Sequence, residues 1–109
     1  MRGVYLEHHP FLTLNDETEI TYSDIKKDIF DNEYIDIYFE TPSELFCFCN
    51  MHIKYPGDII CKCFGYTEQE KENLLYYYNK TKELMFKFAK EDSNGYYILY
   101  NLTQVLFLI

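Results

Sequence analysis

The stretch TEQEKENLLYYYNKTKELMFKFAK, residues 67–90, carries the pattern that decides the fold. It opens with a capping box, in which the Thr67 hydroxyl and the Glu70 carboxylate each accept a hydrogen bond from the other residue's backbone amide. Mostly apolar residues then recur at helical spacing, which aligns them on one face. The residues of this stripe are Leu74, Tyr78, Thr81, Met85 and Phe88. The pattern predicts a long helix that packs this face against a sheet.

Residues 34–40 alternate in the manner of a half-buried strand. The apolar residues point to one side, and two acids and two tyrosines point to the other, which we expect to face water. The apolar set is Ile35, Ile37 and Phe39, and the polar set is Tyr34, Asp36, Tyr38 and Glu40.

The other predicted elements lie on both sides of this strand. Thr21 or Ser23 caps a short helix, because a side-chain oxygen at that position accepts a free amide of the first turn. The segment 41–43 contains Pro42 and is predicted to break the strand, and residues 55–58 form a turn between antiparallel strands. Further extended segments are predicted at residues 4–6, 11–14, 45–55, 59–66, 96–100 and 105–109.

These elements predict an α+β fold. It has a mainly antiparallel sheet of about 4–6 strands, with one long helix (about residues 67–90) on one face and a short helix near residues 23–30. The chain has three prolines, four glycines and no linker-like stretch. We therefore expect residues 1–109 to form a single domain. The apolar segment 105–109 is expected to be buried in the sheet or in a dimer interface, which leaves a homodimer open.

The net charge of −8 indicates the kind of partner. Nucleic acid and anionic membranes are polyanions and repel such a chain, so direct binding to either is not expected, and a protein with a basic surface is favoured. No apolar stretch has the length of a membrane span, and the first residues lack the apolar core of a signal peptide. These features predict a cytoplasmic protein with reduced thiols.

Four cysteines form two C-x-C pairs, Cys47 with Cys49 and Cys61 with Cys63. On a straight strand the two Cβ atoms of such a pair stand about 6.6–7 Å apart, too far for one zinc ion. If Pro56 and Gly57 form a two-residue loop, the two pairs also face opposite sides of the hairpin. Buried thiols are therefore favoured, with no metal and no cofactor, while a cross-strand disulfide and a metal or redox role stay as alternatives.

No catalytic motif is evident. Nucleophilic catalysis needs a cysteine or serine beside a histidine, and the chain has only His8, His9 and His52. His52 lies within a predicted strand whose alternation already explains a half-exposed polar residue. Close pairs of carboxylates arise from acid density alone. These observations favour a protein that is not an enzyme.

Negative charge is concentrated in the first half of the chain. Residues 7–44 contain eleven acids and two lysines, whereas residues 54–90 contain five acids and seven lysines. A purely solvated acidic surface is one interpretation. The other is a surface for a cationic partner, in which tyrosines anchor the contact and carboxylates steer it. The predicted partner-binding residues are Asp16, Glu17, Glu19, Asp24, Asp28, Asp31, Glu33, Tyr34, Asp36, Tyr38 and Glu40.

In type, a small, acidic, tyrosine-rich α+β chain resembles phage-encoded inhibitors and toxin-immunity proteins, although no motif identifies a family. The resemblance implies a protein that acts by occlusion. The leading hypothesis is a non-enzymatic inhibitor, of the phage anti-defence or anti-CRISPR type, that mimics nucleic acid and covers a basic surface of a nuclease or a nucleic-acid-guided effector. A toxin-neutralising immunity protein is the first alternative, and a cysteine-based metal or redox protein is the second.

Overall fold

The structure is a computed structural model, and it describes residues 8–92. These residues form six strands and one helix. In chain order they are β1 (His9–Thr13), β2 (Glu19–Tyr22), β3 (Lys26–Lys27), β4 (Glu33–Ser43), β5 (Cys47–Tyr55), β6 (Ile59–Phe64) and α1 (Glu68–Asp92). The predicted strands at 4–6, 96–100 and 105–109 lie outside the described residues.

The strands form one antiparallel sheet in the order β1-β2-β4-β5-β6, and the short β3 also pairs with β4. Helix α1 packs on one face of this sheet. The structure therefore confirms the predicted α+β fold. Short turns join β4 to β5 and β5 to β6, as is usual for antiparallel pairs, whereas the connection from β2 to β4 contains β3.

The core lies between α1 and the apolar face of β4. Ile35, Ile37 and Phe39 are all fully buried, which confirms the alternation predicted for this strand. The helical stripe is buried against them, because helix periodicity and strand alternation each present one apolar face. The buried helical residues are Leu74, Tyr78, Thr81, Met85, Phe88 and Ala89.

The capping box predicted for α1 is present. The Thr67 amide donates to a Glu70 carboxylate oxygen at 2.8 Å, and the Glu70 amide donates to the Thr67 hydroxyl at 3.1 Å. Two backbone donors at the helix start are thus satisfied by local side chains, which is why sequence alone located this end.

The short helix predicted near residues 23–30 is wrong. This segment holds the two-residue strand β3 and a turn. A carboxylate oxygen of Asp28 accepts hydrogen bonds from the amides of Phe30 and Asn32, at 2.8 and 3.0 Å. Aspartate side chains that bond to nearby amides in this way compete with helix formation.

The predicted break at residues 41–43 is also wrong, because β4 continues to Ser43 and Pro42 pairs with Phe48. The neighbouring strand β2 reaches only as far as the pair between Glu19 and Glu40. Beyond Glu40, one side of β4 is therefore an edge within the described sheet, where a proline needs to donate no hydrogen bond. Strand β2 differs from the sequence-based expectation, because Thr21, a possible helix cap by its residue type, lies within this four-residue strand.

The hairpin of β5 and β6 contains a register shift. Next to the turn, Lys54 pairs with Ile59, in the register that a two-residue loop predicts. The shift between His52 and Ile53 then leaves Cys61 as an extra residue, so that Met51 pairs with Cys63. A β-bulge of this kind moves every later residue to the opposite face.

Candidate functional site

The face of the sheet away from α1, called the open face below, carries polar and aromatic side chains from four strands. Directly paired residues in an antiparallel sheet point to the same face, so the register assigns each residue to a side. The polar set of β4 pairs with Glu19 and Thr21 on β2, and with Asn50, His52 and Lys54 on β5. Strand β5 in turn pairs with β6, which adds Lys62 and Phe64 to the same face.

Asp36 lies on the open face but is only 7% exposed, so the expectation that it faces water is wrong. Lys26 Nζ donates to one carboxylate oxygen at 2.6 Å, and His52 Nε2 contacts the other at 2.7 Å. Burial alone raises the pKa of a carboxyl, but the hydrogen bonds from Lys26 and His52 outweigh it and lower the pKa of Asp36. The carboxylate is therefore ionised, and His52 Nε2 must donate to it.

Tyr38 forms the centre of an aromatic stack on the open face. Its ring is stacked on His8 with a centroid distance of 3.9 Å and an angle of 12°. On the other side it is stacked on His52 at 4.8 Å and 26°. Tyr38 is thus held in one orientation with part of its surface accessible, as is typical of an aromatic residue that anchors a partner. Tyr34 carries the ammonium of Lys54 over its ring at 4.4 Å.

Glu19 and Glu40 are directly opposite each other on β2 and β4, and both are exposed. Their Cβ atoms are separated by about 4.5–5.5 Å in such a pair, where like charges repel. Among the described residues neither glutamate has an ion-pair partner. Asp16 and Glu17 lie in the turn that leads into β2. Asp16 lines the cleft between this turn and α1, on the other side of the sheet. The end of the open face that we call the acidic end therefore gathers two of the predicted acids, Glu19 and Glu40.

The groove beside the acidic end has a volume of about 500 Å³. Its walls join the two glutamates to the aromatic stack, since His8, Tyr38 and His52 line it together with Glu19 and Glu40. One cation of the chain, Lys62, also lines this groove. A cationic side chain placed there would lie between carboxylates and an aromatic ring, two environments that both favour positive charge.

The other predicted acids lie at the far end of the sheet and are largely engaged within the chain. Asp24 contacts His9 at 2.5 Å, Asp31 contacts Lys27 at 3.4 Å, and Glu33 contacts Lys90 at 3.7 Å. Asp28 bonds to the amides of its own turn, and the hydrogen bond from the Asn32 amide lowers the pKa of this carboxyl. The structure thus divides the predicted acidic surface into two ends, and at the acidic end Glu19 and Glu40 face the groove together with one cation of the chain, Lys62.

Sequence reasoning missed an apolar group at the same end of the open face as Glu40. Phe46, Phe48 and Phe64 are 43, 48 and 46% exposed, and Leu45 beside them is 81% exposed. We call these four residues the aromatic patch. A signal was present in the sequence. Phe48 lies between Cys47 and Cys49, and strand alternation points it away from both.

The four cysteines are free thiols, three of them exposed and Cys49 buried. The expectation of four buried thiols is therefore correct only for Cys49. The bulge at Cys61 aligns Cys63 with Met51, on the helix-facing side, whereas a regular hairpin would have pointed Cys63 the other way. Within residues 8–92 no group of three or more histidine, cysteine and acidic side chains is arranged to hold a metal ion.

The contact between His52 and Asp36 resembles the base and orienting carboxylate of a catalytic triad. A triad also needs a nucleophile in contact with the histidine. In the described part of the chain no serine or cysteine is hydrogen-bonded to His52, and its ring is instead packed on Tyr38. The arrangement is suited to holding a rigid aromatic surface.

No family model, curated protein or solved structure matches the chain. In the described residues, no helix is both long and apolar enough to cross a membrane. The chain's function therefore has to be inferred from its own surface.

Proposed function

We propose that this chain is a small, non-enzymatic protein-binding inhibitor that occludes a basic surface of its target. The acidic end of the open face makes the contact. The target is a protein with a cationic surface, of the kind that nucleases and nucleic-acid-guided effectors use to hold nucleic acid.

The observation that carries this proposal is the pairing of Glu19 with Glu40 across β2 and β4. Two exposed like charges at this distance destabilise the free chain, and a cation of a partner placed between them removes that repulsion. At the far end, Asp31 and Glu33 already contact lysines of their own chain, and Asp28 accepts hydrogen bonds from backbone amides. The acidic end is therefore where a basic partner gains the most.

The aromatic stack supplies binding affinity that exposed charges alone do not provide. Exposed carboxylates mainly accelerate association and confer salt sensitivity, whereas aromatic anchors supply most of the affinity. Tyr38 stands next to Glu40 along the open face and is held between two histidine rings, so it loses little freedom on binding. Together they form a contact that is both steered by charge and anchored by an aromatic ring.

Paired variants test the proposal. In Glu19→Gln with Glu40→Gln, the acidic end loses two charges and keeps its shape, while Asp31→Asn with Glu33→Gln removes two charges from the far end. Each protein is used to capture targets from the cell that encodes the chain. We expect capture to be about tenfold slower for the first variant at low salt, and nearly unchanged for the second.

The salt dependence of capture is an independent test of the proposal. Raising the salt concentration from about 0.1 M to about 1 M shortens the screening length from about 10 Å to about 3 Å, and should abolish the difference between wild type and the first variant. A captured target should also lose its ability to bind nucleic acid. Capture that is equal for both variants and indifferent to salt would refute the proposal.

A further inference from the structure

The aromatic patch lies on the open face next to the acidic end. Phe48 pairs with Pro42 through β4 and β5, and the position of Phe64 is fixed by its pairing with Asn50. Asn50 in turn pairs with Glu40, so that one cross-strand row runs from carboxylate to amide to phenyl ring. Phe46 packs edge-on against Phe64, with a centroid distance of 5.1 Å and an angle of 68°.

The three phenylalanines are 43, 48 and 46% exposed, Leu45 is 81% exposed, and Phe46 is in ring contact with Phe64. Exposed apolar patches of this kind mark interaction sites. The interface core of protein complexes is enriched in aromatic residues and depleted of charge, with charges at its rim. The aromatic patch and the acidic end have this arrangement: rings in the middle, and Glu40 and Glu44 beside them.

Charge decides between the possible occupants. Glu44 immediately precedes Leu45 in the turn, and Glu40 lies in the same cross-strand row as Phe64. One lysine, Lys62, lies two residues before Phe64 on the same face, so carboxylates outnumber cations beside the patch. A second copy docked symmetrically would bring the same carboxylates towards each other, because a two-fold interface places identical patches together. Like charges disfavour that contact, and lysine or arginine on a partner favours the alternative.

The geometry of β6 decides how the partner binds. Within the described sheet β6 is an edge strand, which could accept an extended strand through its main chain. The bulge at Cys61 interrupts its register and bends it, which is a feature that protects edges from strand addition. The affinity is therefore assigned to side chains on the open face.

We infer that the aromatic patch is the apolar anchor of the binding surface, and that the partner presents a segment with apolar side chains flanked by lysine or arginine. This inference rests on the proposed function and specifies the recognised chemistry. Phe48 and Phe64 accept the apolar side chains, while Glu40 and Glu44 pair with the flanking cations.

Three short synthetic peptides test this chemistry, with lysine alternating with leucine, lysine with serine, and glutamate with leucine. Fluorescence anisotropy measures their affinities for the full chain, and amide NMR shifts locate the contact. We expect the lysine–leucine peptide to bind at least about tenfold more tightly than either other peptide. The largest shifts should fall at Phe48 and Phe64.

Variants distinguish the anchor from general apolar attraction. Phe48→Ser with Phe64→Ser should remove the preference for leucine over serine. Leu45→Ser with Phe46→Ser, which changes only residues of the turn before β5, should weaken that preference. Phe30→Ser is the matched control, because Phe30 is strongly exposed in the turn at the far end. Thermal unfolding shows whether each variant is folded.

The two proposals fail in different ways. If both lysine peptides bind equally, with binding that falls with salt and is unaffected by the phenylalanine variants, the acidic end binds cations and the anchor is refuted. If neither lysine peptide binds, or Glu19→Gln with Glu40→Gln has no effect, the proposed function fails as well. Equal binding of the glutamate–leucine peptide refutes a basic partner. A dimer in sedimentation that Phe48→Ser with Phe64→Ser dissociates identifies a second copy as the occupant, and also refutes the inference.

Discussion

Replacing Asp36 with alanine tests the central electrostatic contact of the open face. Asp36 is 7% exposed, and its carboxylate receives two charge-assisted hydrogen bonds, from Lys26 and His52. Bonds to charged groups contribute about 1.5–3 kcal/mol each. The side chains of Lys26 and His52 are 40 and 28% exposed, so both can turn towards water when the acceptor is lost. We therefore expect Asp36→Ala to lower the free energy of unfolding by about 2–3 kcal/mol, less than the sum of the two bonds.

The loss should depend on pH in a defined direction. The folded chain lowers the pKa of Asp36, so the contribution of this carboxylate is present above the unfolded pKa and is lost as pH falls through the folded pKa. The difference between wild type and Asp36→Ala should therefore be full at neutral pH and shrink below about pH 4, where the carboxylate becomes protonated in the unfolded chain. Urea denaturation at a series of pH values measures it.

Glu40→Ala is the matched control, because Glu40 lies on the same strand and the same face but is exposed. Removing it also relieves repulsion with Glu19, so we expect a change within about 0.5 kcal/mol, with stabilisation the more natural direction. If Asp36→Ala also changes stability by less than about 0.5 kcal/mol, or its effect does not shrink in acid, the contact with Lys26 and His52 contributes no net stability.

Three further substitutions probe the hairpin and its contact with α1. Gly65→Ala should destabilise the chain by about 2–3 kcal/mol, because φ is +92° and the new Cβ would stand 2.6 Å from Cys49 Sγ. Gly57→Ala has a φ of +110°, but its new Cβ would stand 3.5 Å from Ile59 Cδ1, so it should cost only the backbone strain of about 1 kcal/mol. Equal costs for the two glycine variants in urea denaturation would show that the contact with Cys49 does not add to the loss of stability. Tyr78→Phe removes the hydroxyl that donates to Asp58 at 2.5 Å, and should cost about 1 kcal/mol at neutral pH. Because that bond lowers the pKa of Asp58, the cost should fall in acid; a pH-independent cost in calorimetry would argue against it.

The open face combines stability and recognition in one surface. The Asp36 carboxylate bonds to Lys26 on β3 and His52 on β5, and so links both strands to β4. Glu19 and Glu40 are the acids of this face that stay accessible. A substitution at Asp36 therefore reports on folding, and one at Glu19 or Glu40 reports on binding. The distinction matters because both kinds of residue appear equally acidic in the sequence.

Local interactions made much of the fold predictable from sequence. The capping box at Thr67 and Glu70 satisfies backbone donors within one turn, and the stripe of α1 depends only on helix periodicity. The alternation at residues 34–40 likewise predicts which side of the strand is buried. The acidic character of the first half of the chain follows directly from the numbers of acidic and basic residues in the sequence. None of these features requires knowledge of a distant neighbour.

Only the tertiary structure decided which of the acids are available. Lys26 and His52 come from 10 and 16 residues away to neutralise Asp36, and the pairing of β2 with β4 places Glu19 opposite Glu40. One extra residue at Cys61 turns the later part of β6 over and points Phe64 to the open face. Strand pairing and register are set by contacts between segments that are distant in the chain, so a pattern read along one segment predicts its faces but not its neighbours.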